Sequence, residues 1–442
     1  MSMHNVPGKT RWWWVCLMMA LLFVAACSAP GEAGEEKANR RRPPRAESPR
    51  TDLNLETPLD KVQTIQLYLG EEDQLPVVAL HGRRKLTLEF DLMEGTGRPM
   101  SAYFYHANRN WERDLFASEY LTSFHRDDLF DYQISRNTQI NYTHYTYAFP
   151  NANIDFRISG NFILRITEQG REDEVLFERA FFVTENAAPL QFGIDNVMVS
   201  GQGFPSAQPL LSFTPPSSLV SNIFDYNVCF VRNGQFESTR CSDKPSLTQQ
   251  PELLFYLQPE NAFEPQEGDY FLDVSNLRVG GHIEQLDLSI SPYQITLEPD
   301  YARFPSSSID PLLNGQVVVS GAVRDRGDPD TEGEYTLVHF RYVPPDESRL
   351  PGGLFITGSF NSWGFDLANE LRWVDEGGHY EGELLIKQGQ YEYRYTSPDP
   401  QVRRQLQTRL PRSENLYSAF VYFSDAILRT DRLLGYHHVL GR

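Results

Sequence analysis

Residues that could perform chemistry are present in this 442-residue chain, but their spacing does not match a known catalytic or metal-binding pattern. The ten histidines are scattered. Only His437 and His438 are neighbours, and adjacent side chains on a strand point to opposite faces. The sequence has no His-Glu-x-x-His motif, no Gly-x-Ser-x-Gly motif and no P-loop. We therefore predict no enzyme activity, no metal site and no cofactor.

One acidic segment begins like a calcium-binding loop. It places carboxylates at Asp328, Asp330 and Glu332. The twelfth position of such a loop needs a bidentate carboxylate, and His339 stands there instead. Residues 335–340 also predict a strand, whereas a helix should follow a calcium loop. An acidic turn explains this segment better than a cation site.

The N-terminal segment is typical of a secretory signal. Lys9 and Arg11 precede an apolar run, residues 12–23, that is too short to span a bilayer as a permanent helix. Residues 24–27, Val-Ala-Ala-Cys, then resemble the cleavage site of a bacterial lipoprotein signal. The alternative is an ordinary signal peptide that contains a cysteine by chance.

The lipoprotein resemblance implies a cellular location for the mature protein. Residues 1–26 would be removed, and the thiol of Cys27 would carry a diacylglycerol. Ser28 follows with no acidic neighbour, which in such signals implies the outer membrane, facing the periplasm. Two or three acyl chains give stable anchoring, so the lipid anchor is the predicted contact with the membrane.

A tether and a strongly acidic body are predicted after the signal. Residues 27–56 are rich in Pro, Gly, Ala and charge and hold almost no large apolar residue, so we predict a disordered tether. Its arginine cluster could touch anionic headgroups, although such a run is more often simply solvated. The net charge of −19 repels nucleic acid, which is therefore not an expected partner.

Two cysteines, Cys229 and Cys241, lie well beyond the signal. An even pair in an exported protein is compatible with a disulfide. Between them, Asn233-Gly234 predicts a two-residue hairpin turn, which would place Cys229 opposite Ser238. A disulfide therefore requires the second strand to bend or bulge, and the sequence leaves the bonded and unbonded forms open.

The secondary-structure elements that must position the candidate residues are predicted to be strands. From about residue 60 onward the apolar pattern has a period of two, most clearly in residues 86–92, 162–166 and 391–395. Aromatic and β-branched residues are abundant, and turn residues recur between the runs. This pattern predicts an all-β fold of tandem antiparallel, immunoglobulin-like β-sandwich domains.

Breaks in the alternation predict the domain limits. Residues 187–189, Ala-Ala-Pro, close a first β-sandwich at residues 57–186. A second is predicted at residues 187–300. A polar stretch rich in Pro and Asp then precedes a third, at residues 317–436.

The third predicted domain resembles the glycogen-binding β-sandwich modules. The resemblance lies in residues 355–363 and in the Tyr-rich residues 389–395. Trp363 and Arg394 match the positions that stack on sugar rings and hold them in that family. The second stacking Trp is missing after the Tyr-rich strand. We expect a resemblance of fold without a small-molecule ligand, and keep a carbohydrate-binding lipoprotein as the alternative function.

The first predicted domain carries a denser series of motifs. In chain order, they lie at residues 62–67, 108–111, 119–124, 137–138, 141–145, 149–151 and 159–162. Together they resemble the type IX secretion system plug protein family of the Bacteroidetes lineage. The resemblance continues to residues 431–435 and covers nearly the whole mature chain.

The plug resemblance implies a function without chemistry. Plug-family proteins sit at the periplasmic mouth of a very large outer-membrane β-barrel translocon and block its channel when no cargo shuttle occupies it. The predicted partner is therefore that translocon. A lipid anchor and a flexible tether would give the folded body a high effective concentration at such a partner.

An aromatic-rich run, residues 142–149, is the first candidate for a partner-facing surface. On a strand, Tyr142 and His144 would share one face, and Tyr145 would lie on the other. The alternative is that all three residues belong to the sandwich core and pair across strands.

Overall fold

The structure, a computed structural model, describes residues 58, 60–70, 75–200, 204–219, 222–246, 251–265, 269–301, 313–319, 327–406 and 414–441. The predicted signal peptide, Cys27 and the predicted tether lie outside these residues. The described part consists mostly of β-strands, which confirms the predicted all-β fold class.

The first region contains nine strands among the described residues, and they form two sheets. They are β1 Val62–Tyr68, β2 Val77–Ala79, β3 Leu86–Leu92, β4 Met100–Ala107, β5 Arg126–Leu129, β6 Tyr132–Ile134, β7 Thr143–Phe149, β8 Gly160–Glu168 and β9 Val175–Thr184. One sheet has the order β1-β3-β7-β6 and the other β2-β9-β8-β4-β5. A short helix, α1 Ala117–Tyr120, lies between β4 and β5.

The core of the first region is built by the alternation that the sequence predicts for β3. Leu88, Phe90 and Leu92 are fully buried. The ring of Phe90 stacks on Tyr145 with the centroids 4.9 Å apart, and it meets Phe177 edge-on at 5.0 Å. The polar residues of β3 consequently face away from this core, towards the C-terminal half of the chain.

Five strands follow in the middle of the chain. They are β10 Leu190–Val197, β11 Ser206–Phe213, β12 Tyr226–Arg232, β13 Gln235–Ser242 and β14 Leu253–Tyr256. Strands β10, β11 and β14 form a three-stranded sheet in the order β10-β11-β14.

The remaining strands lie in the C-terminal half. They are β15 Tyr270–Asp273, β16 Ile283–Asp287, β17 Gln294–Leu297, β18 Asp300–Tyr301, β19 Val318–Val319, β20 Tyr335–Val343, β21 Leu354–Gly358, β22 Glu370–Val374, β23 His379–Lys387, β24 Gly389–Thr396, β25 Asn415–Asp425 and β26 Thr430–Gly441. Two short helices accompany them, α2 Pro329–Glu332 and α3 Pro400–Leu406. A ten-stranded sheet has the order β15-β24-β21-β22-β23-β20-β17-β16, with β18 beside β20 and β19 beside β24.

Hydrogen-bonded strand pairs join segments that are distant in the sequence. Strand β12 lies between β13 and β25, in a sheet with the order β13-β12-β25-β26. Strands β15 and β17 pair with β24 and β20 of the ten-stranded sheet. These long-range pairs combine strands from the middle of the chain with strands of the C-terminal half in the same sheets.

Strands β12 and β13 form the hairpin predicted around Asn233-Gly234, with a shift in register. The register changes between Phe230 and Arg232, so that Cys229 lies opposite Cys241. A disulfide bond joins the two cysteines. The irregularity supplies the bend that a bond between these positions requires.

Candidate functional site

The residues predicted to face a partner are buried. Tyr142 and Tyr145 are fully buried, and His144 is 7% exposed. Tyr145 points into the core of the first region, whereas the Tyr142 hydroxyl donates a hydrogen bond to the carbonyl of Gly333 at 3.0 Å. These positions correct the expectation of a partner-facing surface at these residues. They fit the alternative, in which the strand packs on both faces.

Asp91, on β3, is the centre of a buried polar cluster that we call the Asp91 junction (Thr64, Asp91, His144, Tyr335 and Lys387). Its Oδ1 lies 2.8 Å from Nδ1 of His144. Its Oδ2 accepts hydrogen bonds from the Tyr335 hydroxyl at 2.6 Å and from Lys387 Nζ at 2.8 Å. Thr64 Oγ1 lies 2.6 Å from the same Tyr335 hydroxyl. The junction joins β1, β3 and β7 to β20 and β23 of the ten-stranded sheet.

The electrostatics of the junction follow from burial and from Asp91. Burial by itself lowers the pKa of His144, but the hydrogen bond and charge of Asp91 outweigh it and raise that pKa. Burial, followed by the charge of Asp91, raises the pKa of Tyr335 well above its usual range. The Tyr335 hydroxyl therefore stays protonated and donates a hydrogen bond to the Asp91 carboxylate.

Two further carboxylates lie beside this junction. Glu89, His144 and Asp330 each offer one ligand atom, and these atoms all lie within 4.8 Å of one another. Burial, followed by the charge of Asp330, raises the pKa of Glu89. The sequence search missed this group because its members lie on β3, β7 and α2. The signal that could have found it is the Glu-x-Asp pair on the polar face of β3, beside the strand that carries His144.

The acidic segment before β20, which the sequence predicted as an acidic turn, forms the single-turn helix α2 and its cap. Asp328 Oδ1 accepts a hydrogen bond from the Asp330 backbone N–H at 3.1 Å, and Oδ2 accepts one from the Thr331 hydroxyl at 3.1 Å. Asp328 thereby caps α2, and the carboxylate of Asp330 is the one beside Glu89 and His144.

The two candidate sugar-binding residues contact each other. The Arg394 guanidinium carbon lies 4.4 Å from the centroid of the Trp363 ring. Arg394 Nε also donates a hydrogen bond to Asp269 at 2.7 Å, which fixes the guanidinium in place. One face of the indole is therefore covered, and the pair makes a poor platform for stacking a sugar.

A cavity of about 330 Å³ borders another part of the same motif. Its lining includes Phe360 and Asn361 from the C-terminal half and Gln63 and Met93 from the first region. Trp363 is not among the lining residues. The motif that resembles sugar-binding modules thus packs towards the first region.

The first region exposes apolar side chains on a segment that the sequence did not predict to face a partner. We call residues 124–134 the edge segment. Phe124 is 67% exposed and Phe130 is 70% exposed, and Tyr132 and Ile134 are also exposed. The segment runs along β5 and β6, which are the outer strands of the two sheets of this region. Exposed apolar residues on open sheet edges are a typical surface for binding another protein.

Comparison with solved structures identifies a similar fold. A crystal structure of a hypothetical protein from Parabacteroides merdae has a TM-score of 0.77 and 22% identity, over 86% of this chain and 97% of that one. The ectodomain of a teleost fish polymeric Ig receptor reaches a TM-score of only 0.12 and 13% identity, over 41% of this chain and 82% of that one. At this score the two folds are not similar. Among curated proteins, no sequence matches this chain.

No helix among the described residues is both long enough and apolar enough to cross a bilayer. Residues 62–185 match the family model described as "Type 9 secretion system plug protein 1st domain". The matched family is one of secretion-system plugs, which supports a role associated with type IX secretion and the cell envelope. It is not a known enzyme family. The resemblance predicted from the ordered motifs is therefore confirmed over residues 62–185, the part of this chain that the first-domain model of the type 9 secretion system plug proteins matches.

Proposed function

We propose that this chain is a non-catalytic plug that occludes the periplasmic mouth of the outer-membrane translocon of the type IX secretion system. The observation that carries the proposal is the family match of residues 62–185. A protein that works by occlusion needs area and shape complementarity to its partner and no reactive group.

The edge segment is the proposed contact with the translocon. It lies inside the family-matched region and carries Phe124 and Phe130, two of its most exposed aromatic residues. Exposed backbone edges and large apolar side chains offer both hydrogen bonds and buried area to a partner. A plug must also be removable, so we expect a contact of moderate size with a polar rim.

The net charge of −19 adds an electrostatic expectation. A partner that tolerates so acidic a body needs a basic or mixed-charge rim around the channel mouth. Association should then weaken as the salt concentration rises, because exposed charges are screened beyond about 8 Å at physiological ionic strength.

A pull-down from native membranes tests the contact. The tagged full-length chain should recover an outer-membrane barrel of very high mass, and Phe124→Asp/Phe130→Asp should reduce this recovery at least about tenfold. The matched control is Ile427→Asp/Leu367→Asp, which changes two apolar residues that are at least as exposed and lie outside the family-matched region. The control should leave recovery unchanged.

Loss of the protein tests occlusion itself. A deletion strain should admit large antibiotics or leak periplasmic proteins through the unblocked channel. Unchanged permeability in that strain, together with no translocon in the pull-down, would contradict the proposal. Retention of the chain on a glucan column would favour the carbohydrate-binding alternative instead.

The lipid anchor is part of the proposal and has its own test. Cys27→Ser should move the protein from the membrane fraction to the soluble periplasm and leave its circular dichroism unchanged, because the predicted tether separates the anchor from the folded body. A variant that still sediments with membranes in high salt, with no partner recovered there, would argue against acylation of Cys27.

A further inference from the structure

We propose that Glu89, His144 and Asp330 form a binding site for one divalent cation of the zinc type. The three residues come from β3, β7 and α2, so the cation would tie the first region to the segment that leads into β20. This site is independent of the proposed plug function.

The histidine is the first reason. Nδ1 of His144 lies 2.8 Å from Asp91 Oδ1, and an ionised carboxylate can only accept, so Nδ1 carries the proton. In the neutral imidazole, Nε2 then carries the lone pair. It is buried and has no hydrogen-bond partner among the residues that the structure describes. His144 as a whole is 7% exposed, so water does not readily serve this nitrogen.

A histidine held in this way resembles the ligands of known metal sites. Metal-bound histidines commonly donate their second ring N–H to a carboxylate, which fixes the tautomer and orients the ring. Asp91 plays that part here. It is itself held by the Tyr335 hydroxyl and by Lys387 Nζ, so the imidazole is oriented before any ion arrives.

Charge is the second reason. The carboxylates of Asp91, Glu89 and Asp330 lie close enough to interact electrostatically, and Lys387 Nζ lies 2.8 Å from Asp91 Oδ2. Lys387 Nζ donates to Asp91 Oδ2 and to the backbone carbonyl of Asp330, so neither of these hydrogen bonds goes to the carboxylate of Glu89 or Asp330. Adjacent partly buried carboxylates repel each other, and a divalent cation between them would neutralise both.

Distance is the third reason. The ligand atoms lie within 4.8 Å of one another, and two ligands of a tetrahedral zinc ion lie roughly 3.4 Å apart. Small side-chain adjustments would close the site. One nitrogen and two carboxylate oxygens suit zinc, and water would supply the remaining ligand. Tyr68 already donates a hydrogen bond to Glu89 and orients it from outside.

The cation would reinforce an existing contact. The backbone N–H of Arg136 donates to the carbonyl of Thr331 at 2.9 Å, and that of Gln139 donates to Glu334 Oε2 at 2.9 Å. These bonds attach the loop before β7 to α2 and the residues after it. A bound ion would add a stronger link at the same place, and it would stabilise the folded chain according to its concentration and affinity.

The full-length chain, purified without a histidine tag and stripped with a chelator, provides the test. Titration with Zn²⁺ by calorimetry should show about one saturable equivalent per chain. Co²⁺ should give the visible absorption of a four-coordinate ion with nitrogen and oxygen ligands. Zn²⁺ should also raise the melting temperature.

Three variants assign the ion to this site. Glu89→Gln, Asp330→Asn and His144→Asn should each weaken Zn²⁺ binding at least about tenfold and abolish the thermal shift. His144→Asn keeps a donor for Asp91 and removes Nε2. Glu89→Gln keeps the side chain's shape and relieves repulsion, so the metal-free variant should remain folded and decides the case if another variant does not fold.

The matched control is His379→Ala, which breaks another histidine–carboxylate pair, with Glu381, that is not part of the three-residue group. It should bind Zn²⁺ like the unaltered chain. The proposal is overturned if Zn²⁺ does not bind, or if the three variants bind it as tightly as the control. Binding of Ca²⁺ or Mg²⁺ in preference to Zn²⁺ would overturn the assignment to a zinc-type ion.

Discussion

Asp91 shows at the scale of single residues what the sequence could and could not predict. The period of two on β3 correctly placed Phe90 and its apolar neighbours in the core and Asp91 on the other face. It could not show that Lys387 and Tyr335 cover that other face, because they come from strands far along the chain. The same limit left open whether His144 faces a partner or belongs to the core.

The Asp91–Lys387 ion pair leads to a stability prediction. Lys387→Met should destabilise the chain by about 3–5 kcal/mol, because it leaves a fully buried carboxylate without its countercharge. Urea unfolding followed by circular dichroism would measure the loss. Arg372→Met, which breaks an exposed pair with Glu381, should change stability by at most about 0.5–1 kcal/mol. Equal effects from the two substitutions would contradict this account.

A second residue-scale prediction concerns pH. His282 Nε2 lies 3.1 Å from Asp300 Oδ1, and Asp300 also accepts hydrogen bonds from the hydroxyls of Tyr393 and Tyr395. Burial alone would lower the pKa of His282, but the hydrogen bond and charge of Asp300 raise it overall. The charged imidazole therefore contributes stability that is fully present below pH 6.5, the unfolded value, and is lost as the pH rises through the higher folded pKa.

Comparison of the unaltered chain with His282→Gln measures this contribution. The variant should lose more stability at about pH 5.5 than at about pH 8.5, as judged by urea unfolding at each pH. Losses of the same size at both values would show that the His282–Asp300 contact does not depend on protonation.

At the scale of elements, the hairpin of β12 and β13 shows how far local sequence signals reach. Asn233-Gly234 predicted the turn, and the structure has it. The residue opposite Cys229 could not be predicted. An irregularity after Phe230 shifts the pairing of β12 with β13, and the sequence gives no clear signal for that irregularity. Strands were thus predictable from alternation, whereas their pairing depended on long-range contacts.

The disulfide in this hairpin should contribute measurably to stability. Replacing both Cys229 and Cys241 by Ala should cost about 2–4 kcal/mol, because the bond restricts the unfolded chain across a separation of 12 residues. Urea unfolding of the two proteins gives the difference. A reductant should lower the stability of the unaltered chain to a similar extent and leave the variant unchanged. If reduction has no effect on the unaltered chain, the cysteines are not bonded in solution.

At the scale of the whole molecule, one buried cluster connects the first region to the sheet of β12, β25 and β26. Phe182 of β9 stacks on Phe420 of β25 with the ring centroids 4.4 Å apart. The Tyr422 hydroxyl donates to Asn161 Oδ1 at 2.8 Å, and Arg432 pairs with Glu185 at 2.7 Å. The two parts should therefore unfold together.

Phe420→Ala tests this coupling. It should cost about 3–5 kcal/mol, because it leaves a cavity between the two parts. Native-state hydrogen exchange should show weaker protection both in β8 and in β12. Leu440→Ala, at a residue that is 57% exposed on β26, should cost no more than about 0.5 kcal/mol. Loss of protection in β12 alone would show that the two parts are independent.

The place of β12 between β13 and β25 also sets an order of events during synthesis. The ribosome makes β12 long before β25, since Asn233 and its partner Leu416 are 183 residues apart in the chain. Until β25 emerges, the nascent chain presents one edge of β12 unpaired, beside apolar residues such as Val228 and Phe230. A holding chaperone should therefore stay bound to this part of the nascent chain and leave only after residues 415–441 have been made.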